Sequence, residues 1–217
     1  MTTFPNSPRR TKGALLLMDV ATGHYTGIVK LQINPSQLTR SLKVRGPGGE
    51  GGDRSEAMRL TGPPVETIQL EAELDATDKL EFPENNEEAV ESGLRPELAA
   101  LERLVYPDSA RLQENHELAK SGMLEILPVE TPLILFGWGK NRLLPVRITE
   151  LGITEEAFDQ ELNPIRAKVT LGMQVLSVND LPFEHQGTSI YLRHHQFIES
   201  LSRKAGGIIA TRAAVRT

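Results

Sequence analysis

ITEEAFDQELNPIRAKVTLGMQVL, residues 153–176, holds two kinds of sequence side by side. From Ile165 onward, Ile165, Ala167, Val169, Leu171, Met173 and Val175 alternate with Arg166, Lys168, Thr170, Gly172 and Gln174. Successive side chains of a strand point to opposite faces, so this period-two pattern predicts a strand with one buried face. The segment before it packs Glu155, Glu156, Asp159 and Glu161 around Phe158. Paired carboxylates can serve as general acid and base when an apolar cleft separates their pKa values. These four belong to one short segment with no cleft residues beside them. A charged connection between two strands is therefore the simpler reading, with Asn163-Pro164 as its turn.

Working outward, the same reading gives further strands. Gly13 to Val20 forms a first apolar strand and Thr26 to Ile33 a second, separated by the turn sequence Thr22-Gly23-His24. Val65 to Asp75 alternates strictly, with Ile68, Leu70, Ala72 and Leu74 on one face and Gln69, Glu71, Glu73 and Asp75 on the other. Acids spaced two apart along an extended chain diverge in space, so a solvated or partner-facing surface is expected there and not a metal site. Pro132 to Trp138 is a buried strand, Gly139-Lys140-Asn141 a turn, and Leu144 to Thr154 the strand that follows. Its apolar phase slips between Ile148 and Leu151, which predicts a β-bulge near Thr149-Glu150.

Helical signals are fewer. Gly93 to Tyr106 carries a stripe of Leu98, Leu101, Leu104 and Val105, with Pro96 in its first turn and Pro107 as its stop. A second helix runs roughly over 188–204, with Ile190, Tyr191, Phe197, Ile198 and Leu201 on or near one face. Residues 78–96 read as an acidic loop. The fold class is thus mainly β: a barrel or sandwich of two packed antiparallel sheets, one internal helix and a C-terminal helix. Residues 1–12 form a flexible tail, 13–182 the β domain with a Gly-rich loop at 45–64, and 183–217 a helical extension.

The chain of 217 residues is 39% hydrophobic but only 5% aromatic, so the core is aliphatic. A formal charge of -5 gives no support for nucleic-acid binding, which needs a basic face. No apolar run approaches the roughly 20 residues that span a bilayer, so no membrane insertion is expected. The chain has no cysteine, which removes disulfides and thiolate nucleophiles. The glycines of 45–64 lack the Gly-Lys-Ser/Thr of a phosphate-binding loop. The five histidines, His24, His116, His185, His194 and His195, form no His-Glu-x-x-His pair. His194 and His195 are adjacent on a helix and diverge by roughly 100°, so helix-surface or interface positions are expected. No cofactor and no metal site are expected.

Several ordered blocks, taken together, resemble the tube-protein domain of contractile injection systems. They are LQINPSQLTRSL (31–42), GPPVETIQLEAELDATDKLE (62–81), LRPELAALERLVYP (94–107), PLILFGWGKNRLLPVRITELGITEEAFDQELNPIRAKVTLGMQVLSVNDL (132–181) and the helix after it. Within that family the likeness is greatest to baseplate adaptors that sit between a trimeric hub-spike and the hexameric tube. Such adaptors usually add a LysM module after the tube fold, and 217 residues leave no room for one. The resemblance implies a barrel-like fold that assembles as a homohexameric ring, in which neighbours extend one another's sheets around a lumen. It implies hub-spike, inner-tube ring, and baseplate wedge or sheath proteins as partners, assembly in the cytoplasm into a particle, and no catalytic residue. An inner-tube or tube-initiator subunit is the alternative within the same class. A carboxylate-dependent hydrolase rests only on the acids of 155–161. Interface candidates are Phe158, Asp159, Tyr191, His194, His195 and Phe197, together with the Gly-rich loop.

Overall fold

The computed structural model describes residues 11–46, 60–120 and 132–204. Residues 1–10 of the expected N-terminal tail over 1–12, most of the Gly-rich loop and the end of the chain after Lys204 lie outside the described residues. Seven strands make one antiparallel sheet: β1 (Ala14–Met18), β2 (Tyr25–Lys30), β3 (Leu38–Lys43), β4 (Val65–Asp75), β5 (Leu133–Trp138), β6 (Arg142–Phe158) and β7 (Pro164–Val175). Their spatial order is β2-β1-β5-β6-β7-β4-β3. The mainly β class therefore holds. A single continuous sheet stands where two packed sheets were expected.

Strand β4 runs over the predicted residues, and β7 pairs with β6 on one side and β4 on the other. The slip in β6 is a real bulge: the pairing with β7 shifts between Ile148 and Glu150. Beyond it, Leu151 and Ile153 return to the core phase opposite Leu171 and Val169. Strand β6 also continues further than expected. Glu155 and Glu156 pair with Ala167 and Arg166, so these two acids lie on a strand and not in a connection.

The sheet curls until its two ends share one core. Strands β2 and β4 are five positions apart, or about 24 Å in a flat sheet at the usual ~4.8 Å spacing. Yet Val29 and Leu31 join the same apolar cluster as Ala72, Leu74 and Val169. The cluster also holds Leu15, Ile68, Phe136, Leu144, Leu171 and Met173, each at most 1% exposed. The edges do not pair as strands, so the curled sheet stays open. Gln32 bridges part of the gap: its side-chain amide accepts from the Asp75 backbone N–H at 2.8 Å and donates to the Asp75 carbonyl at 2.5 Å. That amide imitates one peptide of a closing strand. Strand β3 covers β4 only as far as Leu70, which leaves Asp75 free for it.

Helices fill the remaining positions. Helix α1 (Thr77–Leu80), a 3-10 turn (Pro83–Asn85) and α2 (Glu87–Ser92) occupy the stretch read as acidic loop. The expected internal helix is α3 (Arg95–Glu102), with Leu98 and Leu101 buried. Helix α4 (Ser109–Lys120) was not foreseen; it buries no residue and starts where the Asp108 carboxylate accepts from the Ala110 N–H. So among the described residues four short internal helices stand where a single one was expected. Helix α5 (Gln186–Lys204) closes the described chain. Its Ile190 packs on a second cluster of Met18, Leu133 and Leu135 with Leu16, Leu143 and Leu176. This explains the unbroken apolar run of β5, which has a core on each face.

Candidate assembly surfaces

The acids of 153–161 build a turn and a strand pair. Asp159 Oδ1 accepts from the backbone N–H of Glu161 and of Asn163, both at 2.8 Å, and Oδ2 accepts from Asn163 Nδ2 at 2.8 Å. The same Nδ2 donates to the Glu91 carbonyl, tying the hairpin end to α2. The Asn163 backbone hydrogen bond, then its side-chain bond, holds the Asp159 carboxyl below its ordinary value of 3.8. Glu156 pairs with Lys168 at 3.0 Å. Two of the four candidate acids are thus occupied structurally. The tip they frame exposes Phe158 at 48% and Leu162 at 72%. Ala157 and Leu162 sit at φ 51° and 64°, a left-handed conformation uncommon outside glycine.

Because the Asp159 carboxylate is the bonded form, its contribution to the turn is present above the unfolded-state pKa of about 3.9. It is lost as pH falls through the lower folded value. An NMR titration is expected to show the Asn163 amide signals moving with a midpoint below 3.8, and Asp159→Asn abolishing that step. A midpoint at the ordinary carboxylate value would contradict the turn assignment.

At the other end of β6 stands a polar cluster that the sequence reading did not assemble. Arg40 Nε meets Glu66 Oε1 at 2.6 Å, with the Glu66 side chain 10% exposed. Arg142 lies beside them. Burial first, and Arg40 second, push its pKa down, while Glu66 opposes the change. Sequence did hold a signal for Glu66: it occupies the buried phase of β4, in step with Ile68 and Leu70. Arg40 was hidden because β3 lacks clear alternation; it pairs opposite Ile68 and so faces the same side.

Helix α5 brings three of its four candidates to or near this cluster. His194 is 9% exposed, and neither ring nitrogen has a hydrogen-bond partner of good geometry. Burial is the main cause that keeps its pKa below the ordinary histidine value; Arg142 and Arg40 act the same way, against the Asn141 backbone and Glu66. His194 is therefore buried within the chain, so the helix-surface half of the expectation does not hold for it. Tyr191 packs against the main core, and burial, then Glu66 and Asp180, raise its phenol pKa. His195 is exposed, stacks on Tyr191 at 6.3 Å and approaches Glu199 at 3.4 Å. Phe197 is half-buried and lines a cavity of about 410 Å³ together with Arg40, Trp138, Lys140, Arg142 and His194.

Elsewhere, Glu71 and Glu73 line a shallow polar hollow with Gln69, Glu150 and Thr170, while Asp75 is held by Thr77 and Arg166. Among the described residues no helix is long and apolar enough to cross a membrane.

The chain is thus a curled, open β-sheet, with Asp159 tied into a turn, Glu156 into an ion pair, and exposed apolar and cationic surface at the two ends of β6. The chain belongs to the contractile injection system tube protein family: the sequence model of that family matches residues 18–180. That family places it in a phage-tail-like particle. A chain from the structure titled "Virion of native gene transfer agent (GTA) particle" aligns with 75% of this chain and 90% of that one, at 10% identity and a TM-score of 0.27. No curated protein matches the sequence.

Proposed function

We propose that this chain forms the adaptor ring of an injection-system baseplate, a homohexamer that joins the trimeric hub-spike to the first ring of the inner tube. The observation that carries self-assembly is the open sheet. Edge strands β2 and β3 each leave one side without a strand partner. They expose Tyr25, Ile28 and Leu42 at 54%, 55% and 52%. An exposed apolar edge is a template for another strand, and tube-family membership supplies the setting in which pairing is productive. The likeness of blocks 31–42, 62–81, 94–107 and 132–181 to adaptors supports the position at the hub. In this reading residues 13–182 are the ring-forming domain and 183–217 an extension, with wedge or sheath proteins as outer partners and assembly in the cytoplasm.

An inner-tube or initiator subunit is the second reading, favoured by the family match itself. Copy number separates the two. A cryo-EM map of particles should show one ring of this chain between spike and tube; rings repeated along the tube would replace the adaptor with the tube subunit. Deleting the gene should leave particles without an assembled tube and sheath, and normal particles from such a strain would end both readings. The hydrolase alternative is tested by replacing Glu155, Glu156, Asp159 and Glu161 with amides; turnover lost with assembly intact would restore it.

A further inference from the structure

Strand β6 joins two surfaces of opposite character. At its far end the hairpin tip presents Phe158 and Leu162 beside Glu155 and Glu161, which are exposed and make no ion pair among the described residues. At its near end, a cavity of about 410 Å³ is lined by Arg40, Lys140 and Arg142, with Trp138 and Phe197 as aromatic walls. Glu66 is the one carboxylate paired with these three cations among the described residues. The cavity therefore carries excess positive charge. His194, 9% exposed and close to the Asn141 backbone, lines the same cavity.

We infer that the Phe158–Leu162 tip of one copy docks into the Arg40–Lys140–Arg142 socket of a second copy. Apolar side chains flanked by carboxylates match aromatic walls flanked by cations in apolar character and in charge. The contact cannot form within one chain. Sixteen residue steps separate Arg142 from Phe158 along β6, roughly 50 Å at ~3.3 Å per step. The tip is also tied to α2 through Asn163 and Glu91. A tip and a socket at opposite ends make a heterologous, head-to-tail contact. Such contacts close into rings when the rotation between copies allows, and otherwise continue as stacks. The docking rests on the reading of this chain as a self-assembling unit, and it adds the residues through which copies meet.

The absence of cysteine makes the test clean. Full-length Phe158→Cys and Phe197→Cys chains are purified separately, mixed, oxidised and run on non-reducing gels beside sedimentation velocity. The mixture is expected to give a crosslinked one-to-one pair, and the double variant a ladder of higher species. Lys140→Glu with Arg142→Glu in the Phe197→Cys chain should cut the crosslink at least about tenfold, as loss of central interface contacts does. Glu155→Lys with Glu161→Lys in the Phe158→Cys chain should restore it to that reversed socket. Oligomers that form without the crosslink, or a yield indifferent to charge reversal, overturn the docking and leave the ring reading standing. A chain that stays monomeric at millimolar concentration overturns both.

Discussion

Gly93→Ala is expected to lower the unfolding midpoint by roughly 6–12 °C, from a loss of about 3 kcal/mol at about 2–4 °C per kcal/mol for a chain of this size. Two costs add. Gly93 sits at φ 59° and ψ -126°, a backbone region that essentially only glycine enters. A Cβ there would also stand 2.3 Å from the Pro164 carbonyl oxygen and 3.2 Å from Asn163 Cβ. The first contact is with backbone, so relief requires moving a strand. Strand β7 begins at that carbonyl, which accepts from the Leu94 N–H at 2.8 Å, while Asn163 reaches the Glu91 carbonyl. The α2–α3 corner and the β6–β7 hairpin are thus clamped together, and the glycine lets them close. The tip that carries Phe158 should lose its fixed position along with the stability, so the crosslinking yield should fall too. Calorimetry showing a midpoint within about 2 °C of wild type would remove the clamp from the account.

What could be read in the sequence was whatever a single strand decides for itself. β4 and β7 bury one face, so their alternation is uninterrupted, β5 packs on both sides and reads as an apolar run, and even the bulge of β6 showed as a skipped phase. Strand β3 lies at an edge with mixed burial, so its residues Leu38–Lys43 carry no clean alternation. Helix α4 buries nothing, and a helix with no apolar face leaves no stripe to find. The number of sheets was illegible for a different reason. Whether strands belong to one curled sheet or to two depends on pairing between distant segments, and Gln32 meeting Asp75 is invisible until the chain is folded. The assembly surfaces divide in the same way. Phe158 among acids stood out locally, and its exposure follows from the tight Asp159 turn. The socket draws on β3, β4, the β5–β6 turn and α5, four places that only the curled sheet brings together. Glu66 was the one local clue, a charge in the apolar phase of its strand.

That charge is the subject of the last expected result. Glu66→Ala should destabilise the protein by about 3 kcal/mol, whereas Glu66→Leu combined with Arg40→Met should come within about 1 kcal/mol of wild type or exceed it. A half-buried ion pair gives back in attraction roughly what its two charges lost in leaving water. Removing one partner keeps the desolvation of the other and cancels the attraction. Here the penalty is sharpened by Arg142, on whose charge Arg40 and Glu66 act in opposite directions. Without Glu66, the Arg40 and Arg142 guanidinium groups lose their opposing charge beside a buried imidazole whose pKa burial already lowers. Taking Arg40 away as well removes the repulsion and leaves apolar side chains against Tyr191 and the core. Urea unfolding of the two variants measures this directly, and a double variant no more stable than Glu66→Ala would show that the pair stabilises the fold by itself. The double variant also keeps Lys140 and Arg142, two of the three socket cations. It should therefore still crosslink through Phe158→Cys and Phe197→Cys, which would separate the ion pair's part in stability from the socket's part in assembly.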